Sequence, residues 1–240
     1  MNTICSYRWL CGLVALATLG LGCDPNANSS EQPAPQSVEP KRVSLGKNVY
    51  LEVQGEQRRV LISAQVCLRK GALEQLLCRT RTKEHEAILA ANIDARDVHK
   101  ALLAAGAVPG EPVRFDPKFE PPRGTPVKVF LQYEKDGKRQ RIAAQKWIRD
   151  VKTNQEMTSD WVFTGSRLIP NPDDPMSQPY YLANDGDVIC VSNMPGALLD
   201  VPIRSSREAA ELLFEAFTER IPPEDTQVIV ILEPILEKKE

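Results

Sequence analysis

The chain has 240 residues, with 30 Lys and Arg against 32 Asp and Glu, so the formal charge is −2. No excess of positive charge is available to hold a nucleic-acid backbone, and we expect no nucleic-acid partner. The hydrophobic fraction of 42% is enough for a core, whereas 19 prolines are more typical of turns and strand edges than of a helical bundle. This composition favours an α+β or β-rich domain.

Residues 1–22 have the pattern of a secretory signal peptide. Arg8 precedes an uncharged run that extends from Trp9 to Gly22. This run is shorter than the roughly 20 residues that a membrane-spanning helix needs.

Cys23 ends this run, directly after the small residue Gly22. The arrangement resembles the lipobox of bacterial lipoproteins, which implies that Cys23 is diacylated and becomes the mature N-terminus. Residues 23–42 are then the lipidated cysteine and a disordered polar tether. The expected location is the cell envelope, lipid-anchored to a membrane and facing the periplasm; the alternative is a secreted soluble protein.

The folded domain is predicted over residues 43–240, and its first half contains a hairpin and a helix. Alternating β-branched residues predict strands over residues 48–53 and 59–66, joined by a turn at Gly55. Asp94 is a candidate N-cap for a helix over residues 95–105, which Gly106 would end.

The second half contains further strand signals. Asp136-Gly137 predicts a type I′ hairpin in which Glu134 faces Arg139. A second hairpin is predicted around residues 184–187. Strands are also predicted over 161–164 and 227–232, while residues 206–220 fit either a helix or a strand. The predicted fold class is therefore α+β, an antiparallel-sheet-rich single domain with one or two helices.

Three cysteines remain in the predicted domain, and two of them are close in sequence. Cys67 and Cys78 flank Gly71 on two short predicted strands that would place them nearly opposite each other. Two interpretations are a cross-strand disulfide and a pair of buried free thiols. A third is a metal or redox site that also uses His85 and His99, because thiolate and imidazole together can hold zinc or copper. Their spacings match no known ligand template.

Several blocks of the domain resemble the YdjY-domain family of bacterial exported proteins. The similar blocks are residues 67–78, 82–89, 98–103 and 161–166, together with Ile221-Pro222-Pro223. The resemblance covers roughly residues 43–235. It implies no particular reaction, because the family has no assigned one.

The main enzyme motifs are missing from the sequence. The chain has no Gly-x-Ser-x-Gly elbow, no Walker loop, no dinucleotide-binding glycine motif and no His-Glu-x-x-His. We therefore expect a cell-envelope lipoprotein with a non-catalytic binding or interaction domain and a partner protein in the envelope. The alternative is a metal-binding or redox accessory protein that uses Cys67, Cys78, His85 and His99.

Overall fold

The computed structural model describes residues 39–170, 173–174, 176–204 and 213–236. It is 42% strand and 11% helical, with one α-helix in these residues. The prediction of an α+β fold was therefore wrong, because the domain is mostly β.

Fifteen strands are present in the described residues. Those of the first half are β1 (Lys41–Gly46), β2 (Val49–Gln54), β3 (Gln57–Val66), β4 (Gln75–Arg79), β5 (Ala87–Ala91), β6 (Pro126–Lys135) and β7 (Lys138–Ala143). Those of the second half are β8 (Ile148–Asp150), β9 (Trp161–Phe163), β10 (Leu168–Ile169), β11 (Tyr180–Tyr181), β12 (Ile189–Cys190), β13 (Leu199–Asp200), β14 (Phe214–Ala216) and β15 (Gln227–Pro234). The helix α1 spans Ala95–Ala104, and three short 3₁₀ helices cover Glu84–Glu86, Ala144–Trp147 and Leu182–Asp185.

Eight strands close into a barrel. Their order is β3-β15-β6-β9-β13-β12-β4-β5, and β5 pairs back onto β3. The β4–β5 and β12–β13 pairs are parallel and the others are antiparallel. Closure satisfies the backbone hydrogen bonds on both sides of every barrel strand, so the barrel has no open edge.

Strand β15 lies between the two longest strands of the barrel, β3 and β6. The buried strand predicted over residues 227–232 is confirmed. Val230 pairs with Ile62 of β3 on one side and Leu131 of β6 on the other, and all three side chains are fully buried. The continuous apolar run is explained by this central position.

Two of the predicted hairpins are present. Strands β2 and β3 pair around Gly55, and β6 and β7 pair around Asp136-Gly137. Asp136 and Gly137 have φ values of 53° and 70°, as the type I′ turn requires. Glu134 faces Arg139, so the predicted register is confirmed.

The helix α1 begins after Asp94, whose side chain accepts a hydrogen bond from the Arg96 backbone N–H. Its buried face packs on the barrel through Val98, Ala101 and Leu102. No helix within the described ranges is long and apolar enough to cross a bilayer.

Two local predictions were wrong. Residues 184–187 do not form a hairpin, because Leu182–Asp185 is a 3₁₀ helix and β11 pairs with β10 rather than with β12. Cys67 and Cys78 are not on neighbouring strands either, because Cys67 directly follows β3, Cys78 lies in β4, and β5 lies between β3 and β4. Both errors arise from long-range pairings that short-range turn signals do not encode.

The structure describes part of residues 206–220, for which the sequence fits either a helix or a strand. Phe214–Ala216 forms strand β14, which pairs with β8, while residues 205–212 lie outside the described residues. The predicted signal peptide, Cys23 and nearly all of the predicted tether also lie outside them.

Candidate functional site

Cys67 and Cys78 lie on opposite sides of strand β5. The backbone N–H of Cys67 donates to Ile88 of β5, and Cys78 pairs with Ala90 on the other side of that strand. The small side chains Ala87 and Ala90 leave room for the two sulfurs, and the four residues form a cluster separate from the main core. We call Cys67 and Cys78 the thiol pair.

Both members of the thiol pair are free thiols in the structure. The Cys67 thiol donates a hydrogen bond to the Ala87 carbonyl oxygen at 3.1 Å. The interaction with Cys67 lowers the pKa of Cys78, against the opposing effect of burial. The interaction with Cys78 and then burial raise the pKa of Cys67. Cys78 is therefore the more acidic of the two thiols.

Neither histidine lies with the thiol pair in a metal-binding group. His85 has 77% of its side chain exposed, and its Nε2 lies 3.7 Å from Glu86 Oε2. His99 Nδ1 lies 2.8 Å from the Tyr181 hydroxyl, and its ring packs edge-on against Phe163. Within the described ranges, no three His, Cys, Asp or Glu side chains are grouped so that they could hold a metal ion.

His99 belongs to a hydrogen-bonded chain that fixes α1 to the barrel. The Tyr181 hydroxyl donates to the Gly165 carbonyl oxygen at 2.7 Å, so His99 Nδ1–H must donate to the tyrosine oxygen. Burial lowers the pKa of His99 and favours this neutral form. The histidine is thus a packing residue whose Nδ1 is hydrogen-bonded.

A buried polar network lies beside β4 and was not anticipated from the sequence. Asp187 Oδ1 accepts from Lys83 Nζ at 2.8 Å and from Gln75 Nε2 at 3.2 Å. Burial opposes the charge of Lys83, but the hydrogen bond and charge of Asp187 raise its pKa overall. The network fastens the segment that precedes β12 to the barrel.

Asp200 of β13 is a buried carboxyl group whose pKa is strongly raised. Its oxygens accept from the backbone of Val201 and Met194 and from the Asn193 side chain. Burial nevertheless raises the pKa of Asp200 to about 8, so this group holds a proton near neutral pH.

A surface groove lies between the start of α1 and the two-stranded β10–β11 sheet. Its volume is about 460 Å³. We call it the Tyr180 groove; its lining residues are Arg96, Ile169, Pro170, Gln178, Pro179, Tyr180, Tyr181 and Asn184.

Asn184 explains why the groove is formed here. Its Oδ1 accepts from the Ala95 backbone N–H at 2.8 Å, and its Nδ2 donates to Asp94 at 3.1 Å. The residue that local sequence signals place in a turn is therefore a second cap for α1. No pattern in the sequence links positions 94 and 184, so the groove could not be predicted.

The comparison with protein-family models matches the YdjY domain over residues 51–233, more than half of the chain. This chain belongs to the YdjY-domain family. The suspected resemblance is thereby confirmed. Comparisons with curated proteins and with solved structures find no match.

In this YdjY domain the matched region extends from β2 to β15 and so includes every barrel strand. It also includes the thiol pair and the Tyr180 groove. Both features are consequently parts of the family's domain rather than of a flanking segment.

Proposed function

We propose that this YdjY domain is a non-catalytic binding module, held at the cell envelope by a lipidated Cys23. Its proposed partner is an extended segment of another envelope protein, bound in the Tyr180 groove. The observation that carries the proposal is the concentration of exposed apolar side chains in the chain segment that lines that groove.

Four large apolar side chains are exposed on the segment between residues 168 and 180. Leu168 is 61% exposed, Ile169 44%, Met176 95% and Tyr180 46%. A folded protein seldom exposes such a group unless it contributes to an interaction surface. Tyrosine, methionine and arginine are also enriched in protein interfaces, and Arg96 lines the groove.

The β10–β11 sheet supports an extended partner. It contains only two strands and is separate from the barrel sheet. The edge of such a small sheet can pair with an added strand, whose alternate side chains would enter the adjoining groove. Prolines 170 and 179 and the two tyrosines supply apolar walls for those side chains.

The anchor places this module near other envelope proteins. A short uncharged run that ends at Gly22-Cys23 supports export followed by lipidation. At about 5–6 Å × √n, the tether would let the domain stand roughly 20–25 Å from the membrane. The groove would then sample neighbouring proteins at high local concentration.

Site-specific photo-crosslinking in intact cells tests the proposal. A photoreactive residue would replace Ile169 or Met176, and the matched control would replace Val151, which is 51% exposed in the turn after β8 and does not line the groove. We expect one discrete linked product from positions 169 and 176, absent from position 151 and lost when Tyr180→Ala is added. Mass spectrometry should place the link in an extended segment of the partner.

Two outcomes would refute the groove as the binding site. One is the absence of any linked product from positions 169 and 176. The other is an equal yield from position 151, which would mean that the links report random encounter.

A further inference from the structure

Four exposed apolar side chains gather at the C-terminal end of α1. They belong to Leu103, Val108, Ile235 and Leu236, and each is between 44% and 66% exposed. We call these four residues the α1-end patch. A folded protein seldom exposes several such side chains in one place unless that place contributes to an interaction. None of the four lines the Tyr180 groove, so the proposed peptide site does not account for them.

Backbone contacts bring two members of the α1-end patch to the start of β6. The Val108 N–H donates to Thr125 Oγ1 at 2.9 Å, and the Thr125 N–H donates back to the Val108 carbonyl oxygen. The Ile235 N–H donates to the Pro126 carbonyl oxygen at 2.8 Å. Since Thr125 and Pro126 are consecutive, these hydrogen bonds hold Val108 and Ile235 at adjacent positions although the two residues are far apart in sequence.

The other two members lie where the chain after β15 meets the end of the helix. Leu236 Cδ1 lies 3.0 Å from the place that a Cβ on Gly106 would occupy. The Gly106 N–H donates to the carbonyl oxygen of Leu103, in the last turn of α1, at 2.9 Å. The α1-end patch is therefore assembled by the tertiary fold from three separate segments.

The chain enters the domain at this same end of α1. Strand β1 begins at Lys41, which is opposite Val53 of β2, and Val53 is opposite Arg58 of β3. Two strand spacings amount to about 10 Å. Arg58 Nη1 then donates to the carbonyl oxygen of Ala104, the last residue of α1, at 3.4 Å. The first strand therefore starts beside the helix end that carries Leu103.

The far end of β1 fixes its direction relative to the helix. Gly46, the last residue of β1, has no room for a Cβ because Asp97 in the first turn of α1 lies against it. Strand β1 thus runs antiparallel to α1. The Tyr180 groove lies at the start of α1, where Asn184 accepts from the Ala95 N–H. Ten helical residues span about 15 Å, so the groove and the α1-end patch occupy opposite ends of α1.

We propose that the α1-end patch docks on the bilayer to which Cys23 anchors the chain. This inference rests on the lipid anchor of the proposed function and adds a second membrane contact, made by the domain itself. Residues 24–40 separate Cys23 from β1, and a coil of that length spans roughly 20–25 Å. The end of the domain where the chain enters is therefore the end held nearest the lipid.

Docking at this end needs only a weak intrinsic affinity. The tether makes the contact intramolecular, and a short flexible linker gives an effective concentration on the order of millimolar. Aliphatic side chains that enter the boundary between headgroups and acyl chains supply the binding energy. Because the Tyr180 groove lies at the opposite end of α1, the membrane and the groove's partner do not compete for one surface.

Fluorescence from a single probe position tests the docking. An environment-sensitive fluorescent amino acid would replace Val108 in the full lipidated chain, reconstituted into vesicles of phosphatidylcholine and phosphatidylglycerol. The matched control carries the probe at Val151, a second valine that is more than half exposed, in the turn after β8. We expect nitroxide-labelled lipids to quench the Val108 probe at least about twofold more than the Val151 probe, because only docked side chains reach the acyl boundary.

A substitution within the patch separates docking from anchoring. Leu236→Asp should lower the ratio of docked to undocked domain by about tenfold or more, because a charge replaces an apolar side chain that enters the bilayer. The Val108 probe should then lose its quenching while the protein still floats with the vesicles through Cys23. Leu168→Asp, in an exposed leucine of β10, is the matched control and should leave the quenching unchanged. Circular dichroism would check each fold, and Leu103→Asp replaces Leu236→Asp if the latter does not fold.

Several results would overturn the docking alone. One is equal quenching at Val108 and Val151 in protein that floats with the vesicles, and another is unchanged quenching at Val108 in folded Leu236→Asp. A blue shift at Val108 without quenching by the lipids would also overturn it, because a second copy or another protein would then cover the patch. Protein that does not float has no anchor, which would overturn the proposed attachment to the envelope as well.

Discussion

The protonated, buried Asp200 should make the stability of this domain fall as the pH rises. Its pKa is about 8 in the folded protein, against about 3.9 in an unfolded chain. The folded state therefore keeps a proton that the unfolded state releases. Unfolding is favoured progressively between about pH 4 and pH 8, and the effect levels off above the folded pKa.

The size of the effect follows from the pKa difference. Each pKa unit corresponds to about 1.4 kcal/mol, so Asp200 should lower the free energy of unfolding by about 4 kcal/mol between pH 4 and pH 7. Asp200→Asn cannot ionise and should lack this dependence. The variant loses one acceptor for the backbone N–H of Met194 or Val201, which adds an offset that does not depend on pH.

Urea unfolding of both proteins at several pH values between 4 and 7 measures the difference. Other groups cancel in this comparison, among them Asp94 and His99, whose pKa values are lowered in the fold and which weaken it at low pH. Asp136→Asn, the same exchange in the exposed β6–β7 turn, is the matched control. If the difference between the wild type and Asp200→Asn stays constant within about 0.5 kcal/mol, burial does not keep Asp200 protonated.

Three further perturbations test the anchor, the barrel and the α1 contact. Cys23→Ser should move the protein from the detergent phase to the aqueous phase in Triton X-114 partitioning; unchanged partitioning would refute lipidation. Gly124→Ala should lower the free energy of unfolding by more than about 3 kcal/mol, because the φ of Gly124 is +146° and the new Cβ would lie 1.8 Å from a β9 carbonyl oxygen. The control is Gly55→Asn, a position in open space at φ +60°, which should lower it by less than about 1 kcal/mol. Tyr181→Phe should lower the free energy of unfolding in urea by about 1–3 kcal/mol, because the variant loses the hydroxyl that is hydrogen-bonded to His99 and to the Gly165 carbonyl oxygen. An unchanged unfolding midpoint would show that these hydrogen bonds contribute nothing to stability.

Local chemistry in the sequence was enough to predict several elements. Asp136-Gly137 gives its hairpin because both central residues adopt positive φ, and the alternation on either side sets the register. The helix α1 has a cap at Asp94 and a regular apolar face, which are properties of consecutive residues. The blocks typical of YdjY domains are likewise readable from the order of residues, and the family match agrees with them.

The tertiary structure alone decided the barrel and both candidate sites. Closure depends on β5 pairing with β3 and on two parallel pairs, and strands of two to five residues carry too little periodicity to encode such partners. The insertion of β5 places Cys67 and Cys78 two strands apart instead of opposite each other. The contact of Asn184 with the start of α1 forms the Tyr180 groove. Each of these arrangements joins residues that are distant in the chain, and the sequence specifies them through the packing of the whole core rather than through any local pattern.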